Sequence, residues 1–405
     1  MNPLLLSRYG ISFDVDKAHL TVKQKDKLIE FEPYRIPYDS IIIDGHYGSM
    51  SFEVMRFLSK HDVSIGLLNW NGNLLSMTQP REKLNAELKI KQYEKYMNLE
   101  SRLYITGQVI NQKIKSSLNF LNQLSRFYNI DLETINKEVQ GFENSRSKTM
   151  KKEGKRLEPV SINEIMMLEG RIASAYWNEL SKIFNQLAPD FRFETRKNLS
   201  YSWNMNESDP VNALLNYRYA ILESMVRKGI NTMGLYGSIG YLHEIAPSKH
   251  PLVNDLQELL RYVVDYSVIE LLERGLKKSD FITTENYHIR LKPETTKKLI
   301  ENITNNFNKR YEFSNKQRRL ENIMFENIRE LSRYISGKFN ELVFKIPDIV
   351  ISRNDDIKIR NRIMSIDPEK RKDLKINKST LWYQQKKIKE GKSIKLYNKT
   401  RVKVE

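Results

Sequence analysis

A histidine and two acidic residues stand close together in the segment from residue 243 to residue 258. His243 precedes a helical stretch by a short loop, and Asp255 and Glu258 lie on that stretch three residues apart. Side chains with this spacing project from one face of an α-helix, and two carboxylates with an imidazole can hold a hard divalent cation. The alternative from this segment alone is a solvated helix face and an ordinary loop histidine.

An apolar stripe on the same stretch is expected to position the two acids. Its members recur at helical spacing and predict a helix packed against a core; they are Leu252, Val253, Leu256, Leu259, Leu260, Val263 and Val264. The acids would therefore lie on a fixed platform.

The elements around this stretch fall into a β-rich part and a helical part. Short β-branched or alternating runs such as ISFDV and SIIID, one short helix in FEVMRFLSKH and a hairpin at Asn71-Gly72 occupy the first 80 or so residues. From about Leu84 to about residue 340 the periodicity is mostly helical. The prediction is an α+β protein: a small N-terminal β-rich domain at 1–82, a larger, mostly α-helical domain at 83–345 and a basic C-terminal extension at 346–405.

Several helix boundaries can be predicted inside the helical part. Ser161 and Glu164 form a capping-box pattern that begins a helix over INEIMMLEGRIASAYWNELSKIF. Asp209-Pro210 predicts the start of another helix, and Gly229 predicts the end of that helix. The polar, basic stretch from 141 to 160 is expected to be a mobile loop.

Charge and composition restrict the classes of partner and chemistry. The formal net charge is +17, and residues 353–405 hold 17 Lys and Arg against 7 Asp and Glu, which predicts polyanionic partners. There is no cysteine, which excludes disulfides, thiol nucleophiles and cysteine-bound zinc. Because no apolar run approaches the length of a membrane span, we expect a soluble, cytoplasmic chain.

Glu169 lies among residues that would pack, in LEGRIASAYW. Gly170 and Ala173 predict a small-residue seam for close approach of another helix. Glu169 then either faces solvent or is buried for a functional reason.

Four motifs carry a resemblance to a known family. LEGRIASAYW, DPVNALLNYRYAIL, GYLHE and DLQELLRYVVD occur in this order. Their order and spacing resemble those of the CRISPR-associated endonuclease and integrase of the spacer-acquisition module, the first-numbered family of CRISPR-associated proteins. The N-terminal IIIDGHYGSMSFEVMRFLSKHDVSIGLLNWNGNLLS is also similar to the β-domain of that family.

The resemblance implies a metal site in the helical, catalytic domain. Glu169 and His243 match metal ligands of the family. Of the acids Asp255 and Glu258, the resemblance favours Glu258 as the third ligand and Asp255 as a supporting catalytic group; the alternative is that Asp255 is the direct ligand. The implied cofactor is Mg²⁺ or Mn²⁺. Carboxylates with one neutral imidazole suit both ions, and the nitrogen ligand favours Mn²⁺.

The resemblance also implies a function and partners. A 3′-hydroxyl of a short DNA fragment, a spacer, would attack a backbone phosphate at a CRISPR repeat, and the same site would cut branched DNA. Family members are similar in forming homodimers through the β-domain and in joining a small ferredoxin-like partner, in the prokaryotic cytoplasm. Alternatives are an integrase of a related mobile element and a non-catalytic DNA-binding scaffold.

Basic residues outside the acidic cluster are candidates for DNA contacts. Those in the body of the chain are Arg192, Arg196, Lys197, Arg318 and Arg319. Nearby aromatic residues, Phe191, Phe193, Tyr201 and Trp203, either stack on bases or belong to the core. In the tail, a helix, a turn around Ile376-Asn377 and a second helix from Ser379 or Thr380 are compatible with a helix-turn-helix or with a nonspecific phosphate-binding arm.

Overall fold

The structure is a computed structural model of the 405-residue chain. It describes residues 3–6, 10–24, 27–33, 35–45, 47–69, 72–78, 85–150, 161–196, 209–247, 249–284, 288–349, 351, 363, 364, 366, 371 and 376–389, with the backbone alone at 143–150 and 387–389. The chain divides into two compact units, Met1–Ile349 and Val350–Glu405.

The N-terminal part of the first unit contains eight described strands and one helix. The strands are β1 Pro3–Leu6, β2 Ile11–Asp16, β3 His19–Gln24, β4 Lys27–Phe31, β5 Ser40–Ile43, β6 Gly48–Met50, β7 Ser64–Leu68 and β8 Leu74–Thr78, with α1 at Phe52–Lys60. They form two four-stranded sheets in the orders β1-β5-β7-β8 and β4-β3-β2-β6. β7 and β8 pair antiparallel, which confirms the predicted hairpin.

Alternation along the strands explains how the two sheets share a core. In β2, Ile11 and Phe13 are buried whereas Asp14 and Asp16 are exposed, as expected for a strand with one face on a core. Apolar residues from both sheets and from α1 form one cluster. The β-rich part therefore has a hydrophobic core to which both sheets and α1 contribute.

Nine further α-helices and four short strands are described in the rest of the first unit. The helices are α2 Ala86–Met97, α3 Leu99–Leu124, α4 Leu132–Met150, α5 Ile162–Leu187, α6 Pro210–Met233, α7 Pro251–Gln257, α8 Arg261–Glu273, α9 Pro293–Asn308 and α10 Leu320–Ile335, and the strands are β9 Phe281–Thr283, β10 Ile289–Leu291, β11 Arg310–Phe313 and β12 Lys316–Arg319. A β-rich part followed by a mostly helical part confirms the α+β prediction. That 1–82 and 83–345 are separate domains stays a prediction.

Two of the predicted helix starts are confirmed and one predicted end is wrong. Ser161 and Glu164 make both hydrogen bonds of a capping box, and Asp209 caps α6. α6 does not end at Gly229 but at Met233, with Gly234 in the left-handed region at φ 76°. A Cβ on Gly229 would lie 2.5 Å from Cδ1 of Ile328 on α10, so this glycine permits close packing of two helices.

Three other expectations need correction. The stretch expected to be a mobile loop is helical as far as Met150, because α4 continues through it. Gly170 forms no close seam, since a Cβ there would meet no atom within 4 Å. The single helix expected over residues 252–264 is interrupted by a 3-10 turn at Glu258–Leu260.

The longest described helix of the second unit is α11, at Lys378–Lys389. Asn377 Oδ1 accepts hydrogen bonds from the backbone N–H and the hydroxyl of Ser379, which places the start of the helix close to the predicted position. Most of the predicted preceding helix lies outside the described residues, and the helix-turn-helix stays a prediction. Within the described part of the chain, no helix combines the length and apolar composition needed to cross a membrane.

Candidate active site

Asp255 organises the loop that carries His243. The Asp255 side chain is 1% exposed, and its Oδ2 accepts the backbone N–H groups of Tyr241 at 2.5 Å and Leu242 at 3.1 Å. Its Oδ1 accepts the backbone N–H of His243 at 3.0 Å. A Cβ on Gly240 would lie 2.5 Å from Cβ of Pro251 and 2.9 Å from Oδ2 of Asp255, so only glycine lets the loop approach α7 this closely.

The same carboxylate holds the His243 ring. Asp255 Oδ1 lies 2.7 Å from Nδ1 of His243. Burial lowers the pKa of His243, but the hydrogen bond and charge of Asp255 outweigh burial and raise the pKa above its ordinary value. Because Nδ1 is bound to the carboxylate, Nε2 is the ring atom left to face a ligand, which is the usual arrangement of a metal-binding histidine.

Glu258 is buried between two cationic side chains. It is 8% exposed, and its Oε1 accepts from Arg261 Nη1 at 2.9 Å. Burial raises the pKa of Glu258, but the charges of Arg261 and Lys113 outweigh it and lower the pKa to about 2. Neither acid of the predicted pair is therefore a solvated helix face; that alternative is wrong.

Lys113 joins Glu258 to the third predicted ligand. Its ammonium lies 2.5 Å from Oε1 of Glu169 on α5 and 2.5 Å from Oε2 of Glu258. Glu169, whose side chain is 19% exposed, therefore points toward the cluster rather than into solvent. The structure thus brings Glu169 and Glu258 together on one cationic group, with His243 close enough to Glu258 for its charge to affect the Glu258 pKa.

Sequence reasoning missed Lys113, although a weak signal was present. Val109 and Ile110 are buried on α3, and Lys113 lies four and three residues after them, on the same face. A lysine that continues a buried helix face needs an anionic partner. Lys115, two residues on, is exposed.

The donor set fits a hard divalent cation, although the side chains do not adopt a coordination geometry. Among the described residues, no three His, Asp or Glu side chains are grouped closely enough to hold a metal ion. Two carboxylates nevertheless converge on a single positive group, and Glu258 Oε2 is buried without a hydrogen bond of good geometry from any described residue. Such oxygens, with an imidazole nitrogen nearby, are ligands that Mg²⁺ and Mn²⁺ accept.

A buried polar network is connected to Glu258 through Arg261. Sequence reasoning also missed this network. Arg261 donates through Nε to the Tyr219 hydroxyl at 3.2 Å, and Tyr219 donates to Asp265 Oδ1 at 3.0 Å. Tyr176 donates to the other oxygen of Asp265 at 2.7 Å. Burial raises the pKa of Asp265, although Arg261 and both tyrosines oppose the rise.

Comparisons with known proteins identify the family of the chain. A model of the family described as CRISPR associated protein Cas1 matches residues 4–305. The chain belongs to the Cas1 family. The CRISPR-associated endonuclease Cas1 1 of Francisella tularensis subsp. novicida is 28% identical over 351 residues, which cover 84% of this chain and 98% of the relative. The CRISPR-associated endonuclease Cas1 of Clostridium perfringens is 27% identical over 274 residues, or 65% of this chain and 77% of the relative.

Solved structures agree with the family. A casposase bound to integration product is 35% identical with a TM-score of 0.74, over 90% of this chain and 99% of the casposase chain. A Cas1 protein from Thermotoga maritima has the same fold, with a TM-score of 0.68 at 19% identity, over 85% of this chain and 100% of that one. By the names of these relatives, this Cas1 chain belongs to a family of nucleases and integrases.

The predicted DNA-contacting residues of this Cas1 chain differ in their surroundings. Arg192 is exposed, with φ 50°. Arg196 is largely occupied inside the protein, because it donates to Asn212 Oδ1 at 2.9 Å and lies over the Tyr219 ring. Lys197 lies outside the described residues.

Of the nearby aromatic residues, Phe191 and Phe193 are buried in the core. Tyr201 and Trp203 lie outside the described residues.

Arg318 and Arg319 line a basic pocket. The pocket has a volume of about 680 Å³, and its charged lining residues are the cations Lys228, Arg310, Arg318, Arg319 and Arg329 and the acids Asp62 and Glu326. Glu326 pairs with both Arg318 and Arg329. Arg310 and Arg319 are direct cross-strand partners in the β11/β12 hairpin, and like charges at such positions repel. This concentration of positive charge suits an anionic ligand.

Proposed function

We propose that this chain is a metal-dependent DNA integrase and endonuclease whose metal ligands are Glu169, His243 and Glu258. The observation that carries the proposal is the convergence of Glu169 and Glu258 on one cationic position, beside a histidine braced by Asp255. A scaffold that only binds DNA has no need to bury two carboxylates at one point, because burial of paired charges is costly.

Each residue has a distinct task in this proposal. Glu169 and Glu258 supply oxygens and His243 supplies Nε2 to Mg²⁺ or Mn²⁺, while Asp255 fixes the ring and its tautomer. When bound, the ion would neutralise charge on the phosphate and lower the pKa of the attacking water or 3′-hydroxyl. Arg261 holds one oxygen of Glu258, so the carboxylate keeps its orientation. The nucleophile arrives with the substrate, and no serine, tyrosine or cysteine is needed for attack.

The proposed substrate is a short DNA fragment that is inserted into a CRISPR repeat array. Two relatives at 27–28% identity are named CRISPR-associated endonucleases, which supports this choice. The basic pocket with Arg318 and Arg319, and the exposed Arg192, are the proposed DNA contacts. Double-stranded and branched DNA both present the phosphates that such groups bind.

We also propose a homodimer and a small ferredoxin-like partner. Large apolar side chains are exposed on the N-terminal part: Leu28, Tyr47, Phe52, Met55, Leu67 and Leu75. Phe52 is 80% exposed. These exposed side chains are the residues of the β-rich part on which we place the proposed contact surface.

A second candidate is the integrase of a related mobile element. The identity with a casposase bound to integration product is 35%, against 28% with the Francisella relative, and the likeness covers 90% of this chain. Both candidates use the same site and differ in the DNA ends that they recognise. Strand transfer into plasmids with and without a repeat array separates them, as does a neighbouring repeat array in the genome.

The decisive experiment uses Glu169→Gln, His243→Ala and Glu258→Gln in parallel assays. We expect loss of Mn²⁺-dependent strand transfer of a labelled short duplex, with DNA binding by fluorescence anisotropy retained. Unchanged strand transfer in all three variants would refute the assignment of these residues.

A further inference from the structure

We propose that Lys113 is an internal counter-cation of the acidic cluster, which holds Glu169 and Glu258 together in the metal-free protein and is displaced when a divalent cation binds between them. This inference rests on the proposed metal site. It assigns a positioning role to a residue that matches none of the motifs from which the ligands were predicted.

The geometry places one ammonium between carboxylates from two other elements. Lys113 lies on α3, Glu169 on α5 and Glu258 in the 3-10 turn after α7. Both ion-pair distances are 2.5 Å, and the three side chains are 14%, 19% and 8% exposed. Lys113 is therefore the group that joins these elements at the centre of the site.

Electrostatics explains why a cation is needed there. Arg261 binds Oε1 of Glu258, but Oε2 is buried and is paired only by Lys113 among the described residues. Without Lys113, the Oε2 side of Glu258 and the carboxylate of Glu169 would face each other as like charges in a partly desolvated site. Removing one partner of a buried pair is strongly destabilising.

The two cations around Glu258 differ in how readily they can leave. The Arg261 guanidinium is held at two points, by Glu258 and by the Tyr219 hydroxyl. The Lys113 ammonium is a point charge on a flexible stem, and within the described part of the chain it pairs with the two carboxylates alone. A divalent ion binding the same oxygens would repel the ammonium and replace its charge, so metal affinity in the wild type would include the cost of displacing Lys113.

Titration calorimetry with Mn²⁺ on the metal-free 405-residue chain tests this competition. We expect Lys113→Met to bind Mn²⁺ about tenfold more tightly than the wild type, which corresponds to about 1.4 kcal/mol. Its metal-free form should melt at a lower temperature than the wild type and should be stabilised more by Mn²⁺. Lys115→Met is the matched control, since it removes the same charge from an exposed position of α3, and it should leave both quantities unchanged.

Two further variants keep the test decisive. Lys113→Gln replaces Lys113→Met if the latter does not fold, and Lys113→Arg retains the charge and should keep the wild-type affinity within about threefold. Equal or weaker Mn²⁺ binding by the uncharged variants would overturn the role of Lys113. Failure of the proposed function would give a different result. Mn²⁺ binding by the wild type would then be absent, or it would be unchanged in Glu169→Gln and Glu258→Gln.

Discussion

Asp255 Oδ1 lies 2.7 Å from Nδ1 of His243 while the same carboxylate accepts three consecutive backbone N–H groups. One buried side chain thus fixes both the path of the loop and the orientation of the ring. The loop and the histidine are positioned together, so a change at Asp255 acts on the proposed site without removing a proposed ligand.

Asp255→Asn is expected to weaken metal binding and to destabilise the loop that carries His243. The amide keeps the size of the carboxylate, but it removes the charge that favours a strongly ligating Nε2. It also replaces one of the two accepting oxygens with an NH2 donor, so at least one loop N–H group loses its acceptor. Loss of such a supporting carboxylate typically costs about 10- to 100-fold in metal affinity or activity. Mn²⁺ titration and strand-transfer rates measure the effect, and Asp255→Ala, which removes the acceptors of all three loop N–H groups, should lower the melting temperature further. Wild-type affinity in Asp255→Asn would contradict the supporting role.

Two glycine-to-alanine changes should have opposite effects on stability. Gly240→Ala puts a Cβ 2.7 Å from the backbone carbon of Pro251, and such overpacking costs about 1–3 kcal/mol. Gly170→Ala meets no atom within 4 Å inside α5, and a helical glycine costs about 0.5–1 kcal/mol relative to alanine. Denaturant unfolding of both variants measures the difference, and a stabilised Gly240→Ala would disprove the close approach of the loop to α7.

The order of the elements and part of the site could be predicted from local sequence. The capping box at Ser161 and the Asp209 cap depend on residues three apart or fewer, and both are confirmed. Hydrophobic periodicity also depends on residues close together in the sequence, and it therefore predicts the β-rich and helical parts. The segment that carries His243, Asp255 and Glu258 can also be recognised from the sequence alone.

The remainder depends on contacts between residues that are distant in sequence. Lys113 reaches Glu169 across 56 positions, and no local pattern encodes that meeting. Glycine is common just after the end of a helix. Gly229 nevertheless lies inside α6, where the lack of a side chain lets Ile328 pack closely. The helix expected over residues 252–264 is broken after α7, where Leu260 has φ −126°, and periodicity cannot show such a break.

Asp44 should make stability depend on pH. Burial raises its pKa from 3.8 to about 6, against the opposing effects of Arg290 and the Tyr217 hydroxyl. The native state therefore keeps this proton to higher pH than the unfolded chain, so the associated stability is present below about pH 3.8 and is lost as pH rises through about 6. The change amounts to at most about 3 kcal/mol, since each unit of pKa is worth about 1.4.

Comparison with Asp44→Asn isolates this contribution. The difference in unfolding free energy between wild type and Asp44→Asn should fall between about pH 4 and about pH 7. Denaturant unfolding at several pH values provides the measurement. A pH-independent difference for Asp44→Asn would show that the pKa of this carboxyl is not raised in the native state.

Arg319→Ala tests whether the basic pocket binds DNA. Arg319 and its cross-strand partner Arg310 both line the pocket, and a phosphate between them would relieve their repulsion. We expect weaker DNA binding regardless of sequence, with the slope of log affinity against log salt reduced by about 1 for each phosphate that the variant no longer binds. Lys316→Ala removes a charge from the same hairpin outside the pocket and should have the smaller effect. Equal reductions in affinity for both variants would indicate a diffuse electrostatic surface instead of phosphate binding at the pocket.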